Sequence, residues 1–190
     1  MKIVDLDSSN IKPTKERPQM VEGYEWNSVV QNYITQYRGL VSKSDCKKIV
    51  DKHKSAEWTE MRHDDTRVCD AVSVDEECDS ILFDAFGKML NLYCADFWRA
   101  ASSTQDQGYT LSRYRMSDYC PLVHQSKGAS LSAGIIINDD CEGGEFQLFG
   151  NFKLDATVGT GFIFPSSFMY PFEILPVTEG TRYIATTSFL

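Results

Sequence analysis

The stretch FIFPSSFMYPFEILPVTEGTRYIATTSFL, residues 162–190, decides how this chain is read. It contains the end of one short run, ATVGTGFIFP (156–165), and two more, FEILPV (172–177) and TRYIATTSFL (181–190). All three are rich in β-branched and aromatic residues, and Glu179-Gly180 supplies a turn between the last two. Working backwards, GYTLSRYRM (108–116), SLSAGIIIND (130–139) and GEFQLFG (144–150) have the same character. Asn138-Asp139-Asp140, Gly143-Gly144 and Gly150-Asn151 punctuate them. Six or more short strands at regular spacing predict a sandwich or jelly roll.

Further upstream the period changes. DEECDSILFDAFGKMLNLYCADFW carries Ile81, Leu82, Ala85, Phe86, Met89, Leu90, Tyr93 and Phe97 at helical spacing. This predicts one long helix over about 76–98. Ser42 or Ser44 can cap a second helix over about 44–55, where Cys46, Ile49, Val50 and His53 fall on one side. NYITQYRGL (32–40) suits a strand, and a loop or strand region with Trp58 and Val68 separates the helices. Residues 1–26 are polar, with Pro13, Pro18 and the run Lys15-Glu16-Arg17. They read as an extended arm, a tail or a docking segment for a neighbouring subunit, ahead of one domain over 27–190. The class is α+β: a double-stranded β-helix (jelly-roll) sandwich with two N-terminal helices packed on one sheet.

The composition narrows the function. With 190 residues the chain suits one domain. Nineteen Lys and Arg stand against 27 Asp and Glu, for a net charge of -8. That excludes a surface devoted to nucleic-acid phosphates. Nothing approaches the ~18 continuous apolar residues of a membrane span, and the N-terminus has no secretory pattern. Six cysteines, none in a CxxC pair, read as reduced thiols of a cytosolic compartment. There are three histidines, His53, His63 and His124, too few for a Ser-His-Asp arrangement to be argued.

INDDCEGGEFQLFG (137–150), residues 162–190 and GYTLSRYRMSDYCPLVH (108–124) together resemble the prolyl 4-hydroxylase-like family of Fe(II)/2-oxoglutarate-dependent oxygenases. The nearest resemblance is to small versions found in bacteriophages. It implies iron held by a His-x-Asp pair on an early strand and by a distal His, with positions left open for 2-oxoglutarate and oxygen. It also implies an Arg about ten residues later that grips the far carboxylate of 2-oxoglutarate. Mapped here, the His-x-Asp position falls on Val123-His124-Gln125, or on His124-Gln125-Ser126 in the other register, and neither contains a carboxylate. The distal His position holds Phe172. His124, Ser126 and Phe172 are therefore vestigial metal positions, and no metal is expected there.

Arg182 matches the family Arg, with Ile184 where a Ser usually helps it, and Tyr109 and Tyr114 lie on the strand of another co-substrate contact. These three form the expected remnant of a 2-oxoglutarate pocket. Arg182 can equally satisfy acidic neighbours. Other clusters point to bland roles. His63-Asp64-Asp65 reads as a solvated loop, and Cys120 with His124 lacks a second ligand pair. Asp139, Asp140 and Glu142 form an acidic hairpin tip. Gly143-Gly144 serves a turn rather than a phosphate cradle. Phe162, Phe164, Phe168, Tyr170 and Phe172 fill core and pocket.

The resemblance thus implies a catalytically inactive oxygenase-like protein, binding virion or host proteins as a structural component of a bacteriophage particle or in host cytoplasm. It would need no cofactor, nucleic acid or membrane. The alternative is an active or sensor-type protein that binds 2-oxoglutarate, with Fe(II) if active.

Overall fold

The computed structural model describes residues 2–5 (backbone only), 29–103, 105–124 and 128–190. The arm expected over 1–26 lies outside the described residues, apart from the strand β1 (Lys2–Asp5).

Two helices precede most of the strands, as the periodicity predicts. α1 is Lys43–His53 and α2 is Glu76–Asp96. Each starts at a side-chain cap that satisfies an otherwise orphaned backbone N–H. Ser42 Oγ accepts from the Asp45 N–H at 3.1 Å, and Asp75 Oδ1 accepts from the Cys78 N–H at 2.7 Å.

The strands before α2 are β2 (Thr35–Arg38), β3 (Thr59–His63) and β4 (Thr66–Ser73). A 3₁₀ turn, Trp98–Ser102, then leads to β5 (Thr110–Arg115) and β6 (Cys120–Val123). β7 (Leu131–Ile136), β8 (Glu142–Gly143), β9 (Phe146–Leu148) and β10 (Phe152–Lys153) follow. β11 (Gly161–Pro165), β12 (Phe172–Ile174), β13 (Val177–Glu179) and β14 (Thr181–Phe189) complete the chain.

The major sheet has the order β1-β2-β11-β7-β14-β5-β4-β3, and the minor sheet β10-β9-β12-β6. β13 pairs with β8 in a small ladder of its own. Every pairing is antiparallel except β1 with β2. This is a jelly-roll sandwich. The segment 59–73, read as loop or strand, is a hairpin that widens the major sheet. Its tip is Asp64-Asp65 at φ 45° and 63°, a conformation Asp tolerates better than most residues.

Strand alternation divides the apolar residues into two cores. On the outer face of the major sheet, Ile49, Leu82, Phe86 and Met89 of the helices pack on Leu111, Ile135, Ile163, Ala185 and Phe189. Between the sheets lie Tyr114, Ile136, Phe146, Leu148, Phe162, Phe164, Ile174 and Ile184. β14 feeds both, with Ala185 and Phe189 to the helices and Ile184 to the interior. Among the described residues no helix is long and apolar enough to cross a membrane.

Candidate functional site: the interior between the sheets

Phe172 opens β12, between β6 and β9, with Val123 and Leu148 as its cross-strand partners. Its ring stacks on Phe146 at 5.1 Å and 15°, and meets Phe164 edge-on at 6.0 Å. Phe146 touches Phe162 at 4.5 Å, and Phe164 continues the row to Tyr170 at 6.3 Å. Gly134 makes room for this packing, because a Cβ there would overlap the Phe162 ring. Rings therefore occupy the volume between the sheets around Phe172.

Val123 is half-buried and His124 exposed. Gln125 and Ser126 lie outside the described residues. Among the described residues no three His, Cys, Asp or Glu side chains come together as a metal-binding group. Cys120 turns into the inter-sheet core while His124 is exposed, so the two do not form a pair of ligands. His63 and Asp64 sit exposed at the hairpin tip, 3.5 Å apart.

Arg182 is 3% exposed and faces Tyr114 across the β14–β5 ladder. Its guanidinium donates to two backbone carbonyls, Asn138 O at 2.6 Å through Nη1 and Gly143 O at 3.2 Å through Nη2. Its Nε is buried without a hydrogen-bond partner among the described residues. Neither sequence reading anticipated this arrangement, in which carbonyls of the 138–143 turn take the place of a dicarboxylate or of acidic neighbours. Asn138 strengthens the clamp, since its side chain donates to Thr181 O and accepts from the Tyr183 N–H, both at 2.7 Å. Asn138 was legible only as a turn residue.

Tyr114 lies in the inter-sheet core, where burial and then Cys69 and Cys120 raise its pKa far above the ordinary phenol range. Tyr109 corrects the expected grouping. It packs on the helix side, stacked on Phe86 at 5.2 Å, with its hydroxyl donating to Asp106 at 2.8 Å. It shares no space with Tyr114 and Arg182, because residues five apart along an extended segment point to opposite faces.

The thiols offer no activated nucleophile. Burial pushes Cys46, Cys78 and Cys120 up to about 12 and raises Cys69, Cys94 and Cys141 as well. All six are free. Protonated thiols are poor nucleophiles and poor metal ligands.

The fold is that of the prolyl 4-hydroxylase-like 2-oxoglutarate/Fe(II) oxygenases. One similar structure is the prolyl hydroxylase of Trichoplax adhaerens in complex with a hypoxia-inducible factor peptide, with TM-score 0.69, 15% identity and 86% of each chain covered. A Pseudomonas putida prolyl-4-hydroxylase matches with TM-score 0.63 and 16% identity, over 83% of this chain and 91% of that one. The 2-oxoglutarate complex of a viral collagen prolyl hydroxylase from Paramecium bursaria Chlorella virus 1 matches with TM-score 0.60 and 14% identity, over 83% and 94%. No protein-family model matches the chain, and no curated protein matches it. At the described positions where the sequence resemblance expects iron ligands, the side chains do not suit iron. Phe172 and Val123 present only carbon, and His124 is exposed.

Proposed function

We propose that this chain is a catalytically inactive protein on an oxygenase fold, acting as a structural or protein-binding component. The observation that carries the reading is the stack of Phe172 on Phe146 inside a row of phenylalanine rings. A phenyl ring cannot ligate a metal, and rings packed at these distances stabilise a rigid sandwich. The arginine is turned to the same purpose, as Arg182 ties the 138–143 turn to β14.

Calorimetric titration with Fe(II) or Mn(II), with and without 2-oxoglutarate, tests this. No stoichiometric metal uptake and no 2-oxoglutarate decarboxylation are expected. Stoichiometric metal binding coupled to decarboxylation would overturn the proposal. The finer assignment, to a bacteriophage particle, rests on the sequence resemblance alone. Mass spectrometry of purified particles decides it, and absence of the chain from them would refute it.

One observation favours a second reading. Arg182 is a buried cation with no ion pair to a carboxylate among the described residues, and its Nε lacks a partner. A dicarboxylate sensor that binds 2-oxoglutarate without turnover would use that charge. Metal-independent 2-oxoglutarate binding, lost in a folded Arg182→Lys variant, would establish it.

A further inference from the structure

A second polar cluster lies on the outer face of the major sheet, away from the ring-filled interior. Asp70 of β4, 5% exposed, accepts from Arg67 Nη2 at 2.8 Å on one oxygen. Its other oxygen takes Arg113 Nε at 2.9 Å and Arg115 Nη2 at 2.8 Å. Arg67 is fully engaged, because its Nη1 reaches Glu60 at 2.8 Å and its Nε reaches Asp118 at 3.1 Å. Arg62 also sits on Glu60, at 2.6 Å. Four arginines thus meet three carboxylates, in a chain of net charge -8.

The cluster is held in a fixed geometry. The Arg113 guanidinium lies 4.2 Å over the Trp58 ring. Trp58 is itself anchored by its Nε1–H donating to His53 O at 3.0 Å, and packs against Tyr183 at 6.2 Å. Among the described residues Arg113 uses only Nε on Asp70, and Arg115 only Nη2. The remaining guanidinium nitrogens have no hydrogen-bond partner among the described residues. Both guanidiniums touch the same Asp70 oxygen, so the two cationic groups are neighbours. A phosphate group suits a pair of guanidiniums, because it offers three oxygens and up to two charges.

We propose that Arg113, Arg115 and Trp58 form a binding site for a phosphate group, supplied by free phosphate or by a phosphorylated side chain of a protein partner. Calorimetry on the full chain at constant ionic strength tests it, using inorganic phosphate, a phosphoserine peptide and the same peptide unphosphorylated. Saturable binding at one site is expected. It should weaken by about tenfold or more in Arg115→Gln, since a hydrogen bond to a charged group is worth about that much. Lys153→Gln removes a charge from the minor sheet and should leave binding unchanged. Arg115 is half exposed, so its variant is expected to fold, and circular dichroism checks this. Tighter binding of the phosphopeptide than of phosphate would identify a protein source, and equal affinity a free anion. No saturable binding, equal binding by Arg115→Gln, or equal binding of the unphosphorylated peptide would overturn the site.

Discussion

At the residue scale, Phe172 is set in a row of packed rings and Arg182 is held by two backbone carbonyls. Phe162 belongs to the same row of rings. It is 1% exposed, in contact with Phe146 and seated over Gly134. Phe162→Ala should cost about 3–5 kcal/mol, the usual penalty for truncating a buried aromatic, read from the urea midpoint. A loss well under 1 kcal/mol would mean that the rings do not pack as described. Tyr109 carries a different lesson. Its five-residue separation from Tyr114 already required opposite faces, so the sequence contained the signal that separates them.

At the element scale, α1 and α2 are joined through polar as well as apolar contacts. His53 is 3% exposed, with Nδ1 2.8 Å from Ile49 O while Nε2 accepts from the Asp75 N–H at 3.2 Å. That bond reaches the residue that caps α2. Lys48 and Lys52 of α1 share Glu77 of α2. Asp75→Ala should lower stability by about 1 kcal/mol with the fold retained, measured by chemical denaturation. An unchanged midpoint would remove the cap from the account. Helices were the easiest elements to read. The predicted spans of about 44–55 and 76–98 compare with Lys43–His53 and Glu76–Asp96, because caps and i, i+4 periodicity are local. The β3–β4 hairpin was not legible as a hairpin. All five residues of β3 are exposed, so it shows no apolar alternation, and its turn lacks the usual glycine.

At the scale of the whole molecule, acidic groups outnumber basic ones, and Asp70, the best-buried carboxylate among the described residues, is committed to arginines. Burial pushes the Asp70 carboxyl up, but hydrogen bonds from Arg67 and Arg113 outweigh it and hold its pKa below the ordinary value. A carboxyl depressed in the folded state adds stability above the unfolded pKa of about 4, and loses it as the pH falls through the folded value. Asp70→Asn should therefore be less stable than the parent at neutral pH, and the difference should shrink as the pH drops below about 4. Denaturation midpoints at several pH values check this, and a difference that stays constant with pH would contradict it.

The sequence by itself determined the class, the two helices and the run of short strands. Those features follow from local periodicity, caps and turn chemistry, each legible within a few residues. Only the tertiary structure decided that Arg182 holds the carbonyls of Asn138 and Gly143 and that Phe172 stacks on Phe146. Tertiary contact alone also joined Asp70 of β4 to Arg113 and Arg115 of β5. The physical reason is that cross-strand register and inter-sheet packing join residues tens of positions apart. No local pattern encodes which of them meet.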